Sequence, residues 1–332
     1  MLNLMMIGNS PMNLRISVCL LALLVMGAVY GVPIPSAAGA KSDQGLYGPV
    51  EQTGSIVDPE ISEASGLAAS SRDDNLLWVI NDSGNPATLF AIARDGQVRA
   101  KYTIDAPNYD WEDLAAFSLD NTAYLLIADV GDNLAGRAVC NLYIVAEPKV
   151  PDTTPAATPA LLPVKWRIEF RYPDGPRDCE AVAVDACRKR VMLLSKRDKP
   201  PVLYELPLLP ASGGVTEAEP VGPVTTIPPP TPEELKEPYG YTWARPTAMD
   251  LSRDGNRLVV LTYKNAYAFV KQPAQSWSSV TTKPPVEIIL PYPTTGLLPI
   301  REALCLQPKT GVIFITGERP PAPVFRLQPL TD

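Results

Sequence analysis

The chain has 332 residues with 29 Lys plus Arg against 36 Asp plus Glu and no histidine, for a net charge of −7. That acidic balance gives no general attraction for nucleic acid or anionic lipid surfaces. The missing imidazole excludes Ser-His-Asp catalysis and His-ligated zinc, so any chemistry must use carboxylates, Lys, Arg, Tyr or a metal held by oxygen.

In chain order the first feature is a targeting segment. Arg15 precedes an apolar run, ISVCLLALLVMGAVYG (16–31), and small residues ending Ala38-Gly39-Ala40. This is the layout of a secretory signal peptide, with cleavage expected after Ala40 and Met12 as an alternative start. The run is shorter than the roughly 20 residues of a spanning helix, so an uncleaved N-terminal membrane anchor is the alternative and stable membrane insertion after cleavage is not expected. Removing residues 1–40, which carry only Arg15 as a charged side chain, moves the net charge from −7 to −8. The mature chain is expected to be secreted or periplasmic and monomeric. It keeps Cys140, Cys179, Cys187 and Cys305. An oxidising compartment favours one or two disulfides, with Cys179 and Cys187 as candidates to close a hairpin loop, and buried free thiols as the alternative.

Residues 41–332 read as one all-β domain. A lone strand, VEQTGSIV (50–57), comes first. A unit then recurs five times: a small-residue strand, a more apolar strand ending in polar residues, and a third strand with aromatic or β-branched residues. The opening strands are SGLAAS (65–70), EDLAAF (112–117), EAVAVD (180–185), TAMDLS (247–252) and EALCLQ (302–307). The second strands are NLLWVINDSG, AYLLIADVGDN, VMLLSKRD, RLVVLTYKN and GVIFITGER, and the third are TLFAIARDG, NLYIVAEP, VLYELPL, AYAFVKQ and VFRLQP. Fourth strands follow as QVRAKYTI, VKWRIEFRY and VEIILPY, and less distinctly near Val224. Units of this length made only of short strands predict a β-propeller. The fifth unit ends after its third strand, so residues 50–57 are expected to supply its outer strand and close the ring, which hides two sheet edges. Five blades is the favoured count. Six blades, with a degenerate one inside the proline-rich stretch 200–246, is the alternative. That stretch, like 148–163 and 284–299, reads as loop or edge because proline cannot donate to a ladder. Its longest part is expected to be a surface insertion, with a flap over a binding face as the alternative.

Aligned on their small-apolar cores, the opening strands begin with Ser65, Glu112, Glu180, Thr247 and Glu302. Innermost propeller strands line the central channel, so these side chains should converge at one end of it. Carboxylates gathered at low dielectric repel one another unless a cation neutralises them, and a hard ion such as Ca²⁺ suits all-oxygen ligands. Glu112, Glu180 and Glu302, with Asp82 and Asp129 from the second-strand ends, are the candidate metal ligands, and the Ser65 and Thr247 hydroxyls are candidates to complete the set. Glutamates solvated in a water-filled channel, or paired with Lys and Arg, are the equal alternative. The second-strand ends also carry Lys196, Arg197, Lys264 and Arg319, candidates to hold a small anionic ligand by charge-assisted hydrogen bonds. Ion pairing across the rim is the favoured alternative. Asp129-Val-Gly-Asp-Asn133 reads equally as a miniature calcium loop or as a capped turn, and Trp111 as a packing residue.

The segments ASGLAAS…LLWVINDSG, DWEDLA…LLIADVGDN…LYIVAEP and DCEAVAVD…VMLLSKRD resemble secreted bacterial propellers of the SdiA-regulated group and, more distantly, β-propeller phytases and phytase-like esterase domains. The resemblance covers nearly all of the mature chain. It implies Glu112, Glu180 and Glu302 as calcium ligands and Lys196, Arg197 and Lys264 as phosphate contacts. The leading expectation is an exported propeller with a channel calcium site and a ligand-binding or scaffold role. The alternatives are a calcium-dependent phosphate- or carboxyl-ester hydrolase and a protein-interaction propeller without catalysis.

Overall fold

The computed structural model describes residues 45–151, 159–210, 213–291 and 300–330. The expected signal peptide and the cleavage point after Ala40 lie outside them. Among the described residues no helix is long and apolar enough to cross a membrane.

The chain opens with β1 (Glu51–Ile56) and then lays down blade 1 as β2 (Ala64–Ala69), β3 (Leu76–Asn81), β4 (Thr88–Ala93) and β5 (Val98–Ile104). Blade 2 follows with β6 (Trp111–Leu119), β7 (Thr122–Asp129) and β8 (Cys140–Ala146). The chain then leaves β9 (Ala160–Leu162) parallel to β5 as an extra edge of blade 1, before β10 (Val164–Arg171) completes blade 2. Blade 3 is β11 (Cys179–Asp185), β12 (Arg190–Ser195), β13 (Val202–Pro207) and, after β14 (Thr216–Glu217) has paired in parallel with β10, β15 (Glu219–Pro223). Blade 4 is β16 (Pro246–Leu251), β17 (Arg257–Thr262), β18 (Ala266–Val270) and β19 (Val286–Ile288). Blade 5 is β20 (Arg301–Leu306), β21 (Ile313–Gly317) and β22 (Ala322–Leu327), with β1 as its fourth strand.

Five blades and the closing role of β1 therefore stand as the sequence predicts. Glu51 pairs with Arg326 and Ile56 with Ala322, so the two ends of the chain lock one sheet. Residues 224–245 hold two single 3₁₀ turns, Glu234–Lys236 and Gly240–Thr242, and no sixth blade. The extra parallel edges β9 and β14 are not legible in the sequence, because two- or three-residue pairings carry no periodic signal.

The five innermost strands pack in a closed ring: β2 against β6, β6 against β11, β11 against β16, β16 against β20, and β20 against β2. Five apolar clusters fill the spaces between adjacent blades. Trp78, Trp111 and Tyr143 sit between blades 1 and 2, and Met192, Met249 and Phe269 between blades 3 and 4. Every blade thus buries both faces, which is why the second strands are continuous apolar runs without alternation. Trp111 is a packing residue, fully buried, with its indole N–H donated to the Pro107 carbonyl at 3.0 Å.

All four cysteines among the described residues are free thiols, which corrects the disulfide expectation. Cys179 opens the seven-residue strand β11 and Cys187 lies beyond its far end. At about 3.3 Å per residue the two are roughly 20 Å apart, far beyond the roughly 7 Å that a bridge tolerates. Burial pushes the Cys179 thiol up to about 12 and Cys140 up to about 11.

Candidate functional site at the channel mouth

Each innermost strand begins with a bulge. Just after the pairs Ala64–Asn81, Trp111–Asp129, Cys179–Ser195, Pro246–Thr262 and Arg301–Gly317, one residue is skipped in the ladder. The five skipped residues are Ser65, Glu112, Glu180, Thr247 and Glu302. A bulge removes a residue from the pairing and re-aims its side chain. Repeated five times around a ring, it gathers the five side chains at one end of the channel, and all five are buried.

The two hydroxyls tie neighbouring blades. Ser65 Oγ donates to the Glu112 carbonyl at 2.7 Å and lies 3.1 Å from Glu112 Oε2, and Thr247 Oγ1 donates to the Arg301 carbonyl at 2.8 Å. The asymmetry of the ring, three Glu against Ser and Thr, thus has a structural side: blades 1 and 4 use the position to hold the next innermost strand.

The carboxylates fall into two groups. In the first, Asp82, Asp110 and Glu112 place an oxygen each within 4.8 Å of one another. Asp82 arrives on the β3–β4 turn and Asp110 on the loop before β6. Asn108 joins these segments, donating to the Asp82 carbonyl at 2.9 Å and accepting from the Trp111 N–H at 3.1 Å. Gly131 closes the back of the group. Its N–H reaches the Asp110 carbonyl at 3.1 Å, and a Cβ there would strike both Glu112 Oε1 and the Asp110 carboxyl.

In the second group Glu180 Oε1 forms an ion pair with Lys196 Nζ. Lys196 donates to the Tyr263 hydroxyl at 2.8 Å, and Tyr263 donates to Glu302 Oε1 at 2.7 Å, which lies 3.9 Å from Lys196 Nζ. Glu318 is hydrogen-bonded to Glu302 in turn. Glu180 Oε2 is buried without a hydrogen-bond partner.

Electrostatics follow from this crowding. Burial, then the Glu180 and Asp82 charges, push Glu112 well above the usual carboxylate range. Burial likewise raises Glu180, although the Lys196 ammonium opposes the shift. Burial with the Asp110 and Glu302 charges pushes Asp82 up to about 6, and burial with the Glu302 hydrogen bond pushes Glu318 up to about 9. Desolvation works against the Lys196 charge, yet Glu180 and Glu302 outweigh it and raise its pKa. The cluster holds more negative charge than it can neutralise internally.

Other residues singled out in the sequence lie apart from this centre or are engaged. Asp129 is buried, with its Oδ1 2.8 Å from Arg137 and accepting the Asp110 N–H at 3.1 Å. Asp132 caps the following turn by accepting the Gly136 and Arg137 N–H groups at 2.8 Å each, so Asp129–Asn133 is a capped turn whose glycine packs on the site. Arg197 is paired with Asp178, and Lys264 with Glu234. Arg319 is exposed, in the left-handed region at φ 66°, with its N–H on the Ser62 carbonyl at 3.0 Å. The Lys264–Glu234 pair and a 3.2 Å bond from the Lys264 N–H to the Trp243 carbonyl fasten the proline-rich segment to the β17–β18 turn. Sequence reading missed Asp110, Asn108, Gly131 and Tyr263. The Asp110-Trp-Glu-Asp113 run was a usable signal for the first, but the others act through a fold that brings distant loops together.

Farther along the channel, Asp113 Oδ2 accepts N–H bonds from Val182 at 2.7 Å and Met249 at 3.3 Å, and Asp250 Oδ2 accepts one from Leu306 at 2.7 Å. These carboxyls satisfy backbone groups that the innermost strands cannot pair on their channel side. The opposite end opens as a cavity of about 470 Å³ bordered by Ser71, Ser118, Cys187, Lys189 and Arg253.

No protein-family model and no curated protein matches the chain. Among solved structures, the PQQ-bound aldose sugar dehydrogenase of Streptomyces coelicolor is similar, at 10% identity over 84% of this chain and 98% of that one, with a TM-score of 0.47. A gluconolactonase from Xanthomonas campestris aligns at 11% identity over 85% of this chain and 89% of that one, TM-score 0.44. A luciferin-regenerating enzyme aligns at 11% identity over 85% and 95%, TM-score 0.42. The assignment of the propeller fold rests on the strand pairing described above.

Proposed function

We propose that the channel mouth binds a divalent cation, Ca²⁺, on Asp82, Asp110 and Glu112, and that the propeller uses this ion to capture a small oxygen-rich or anionic ligand. The observation that carries the reading is the convergence of three carboxylates from two blades, backed by a glycine that leaves them room, in a cluster with one ammonium. An all-oxygen donor set of this kind fits a hard cation, with carbonyls and water completing its six to eight ligands. When bound, the ion would supply positive charge able to polarise a ligand's oxygen. The chain's own part is to hold Asp82 and Asp110 at fixed spacing through Asn108, and to keep Glu112 re-aimed by its bulge.

Thermal unfolding with and without EDTA, with elemental analysis of the purified protein, tests this. Calcium should raise the unfolding temperature, and the Glu112→Gln variant should lose that response. An unchanged melting curve together with no bound calcium would refute the reading.

A second reading, hydrolysis of phosphate or carboxylic esters, is favoured by the placing of Glu318 beside Glu302, where burial and the neighbouring carboxyl raise its pKa, as suits a proton donor. The likeness of the opening-strand motifs to SdiA-regulated propellers and phytases belongs to this reading. A phosphate held by Lys196, Arg197 and Lys264 would have to displace Glu180, Asp178 and Glu234. Turnover of a phosphomonoester or carboxyl-ester panel, lost in Glu318→Gln, would establish it, and silence across the panel would dismiss it.

A further inference from the structure

Beside the Asp82–Asp110–Glu112 group, the channel mouth has a second oxygen-lined position, and it already contains a positive charge. Lys196 starts just after β12, and its side chain is only 5% exposed. Its Nζ meets oxygens from three blades: Glu180 of blade 3, Tyr263 of blade 4 at 2.8 Å, and Glu302 of blade 5 at 3.9 Å. This oxygen-lined pocket has the chemistry that a hard cation takes. Glu180, itself only 4% exposed, keeps Oε2 buried and unpartnered, a spare oxygen beyond the one that Lys196 engages.

We infer that Lys196 is a built-in cation filling a second cation position, framed by Glu180, Glu302 and Tyr263, and thereby confines the exogenous ion to Asp82, Asp110 and Glu112. The inference rests on the calcium reading for the wild-type site alone. The pocket around Lys196 is judged separately, by what enters it when the ammonium is removed. Leaving Glu180 and Glu302 buried without a counter-charge is costly, since a broken buried pair leaves an uncompensated charge. A divalent ion entering the vacated pocket removes that cost.

The test counts calcium ions bound by the full chain, by elemental analysis after equilibrium dialysis, with Ca²⁺ alone as the probe. Lys196→Met keeps most of the side-chain stem and deletes the charge. The expected result is one ion in the wild type and two in Lys196→Met. One ion in both overturns the inference and leaves the calcium reading standing. None in the wild type but one in the variant sinks the calcium reading and the confinement with it while supporting Lys196 as the cation of the second position, and none in either overturns both. Lys196→Met is expected to need calcium to reach wild-type thermal stability. If it does not fold even with calcium while Lys196→Met/Glu180→Gln does, calcium cannot replace the ammonium and the inference fails. The double variant is expected to fold and return to one ion; two ions there would also overturn it.

Discussion

Gly131 shows how one missing methyl group can keep a site open. It has no side chain to pack, yet a Cβ at that position would meet the Glu112 and Asp110 carboxyls together. Gly131→Ala should therefore push these oxygens apart while the fold survives. The expected outcome is a loss of calcium affinity by about tenfold or more, which is roughly 1.4 kcal/mol of binding, with a much smaller change in the unfolding midpoint of the ion-free protein. Titration calorimetry against calcium checks it, and an unchanged affinity would show that the three carboxylates do not act as one site. Glu112 was legible in the sequence because it sits at the same place in a repeated strand. Gly131 was not, since its importance comes from β7 ending beside the loop that carries Asp110, an encounter between segments about twenty residues apart. Asp129 illustrates the converse. Its position at a strand end suggests a ligand, but Arg137 lies against it, and local sequence gives no means of foreseeing that pair.

At the level of strands, the bulge is the device that makes the site, and the innermost strands need other devices to survive without a partner on the channel side. Asp113 is the main one. From β6 it accepts N–H bonds from β11 and β16, so one side chain joins blades 2, 3 and 4. Asp250 does the same between β16 and β20. Replacing Asp113 by Ala leaves three buried donors without their acceptor, the Leu114, Val182 and Met249 N–H groups, each costing up to about 1–3 kcal/mol where water does not reach it. Urea unfolding should show a loss of roughly 2–5 kcal/mol, with Asp113→Asn recovering part of it. A loss below about 1 kcal/mol would mean that water takes over these bonds. The same need for partners explains Ser65 and Thr247, whose hydroxyls hold the next blade's carbonyls. A strand's existence and rank in its blade follow from its apolar run. Glu112 turns to the channel mouth and Asp113 pins neighbouring strands because Glu112 is the residue skipped by the bulge and Asp113 is the one after it.

For the whole molecule, burial at the channel raises several carboxyl pKa values above those of the unfolded chain. Asp82 is raised from 3.8 to about 6, Asp250, desolvated by burial, from 3.8 to about 7, and Glu318 from 4.5 to about 9. All three shifts are upward, so between about pH 4 and 9 these groups bind more protons in the folded protein than in the unfolded chain. Unfolding free energy then falls as pH rises. These groups' stabilising contribution is complete below pH 4 and is lost as pH passes through 6, 7 and 9. In EDTA the protein should thus be more stable at pH 5 than at pH 8, with a slope of at most about 1.4 kcal/mol per pH unit for each proton involved, reduced by solvent screening at the partly exposed groups. Calcium should flatten the alkaline part of this dependence, because a bound cation takes over from the protons. Melting curves across that range in EDTA and in calcium check both statements, and an ion-free stability that rises with pH would contradict the crowding of the channel mouth. The repeat of small-residue, apolar and aromatic strands, together with the lone strand before the first unit, determined a propeller, favoured five blades over six and gave their order and the expected closure by β1. Those features follow from burial of both blade faces and from edge pairing, which act on every repeat alike. Only the tertiary structure decided the roles within the ring, the division of its carboxylates into the Asp82–Asp110–Glu112 group and a lysine-held group, and the free state of the cysteines. Those outcomes depend on distances of a few ångströms between blades, and no single repeat encodes them.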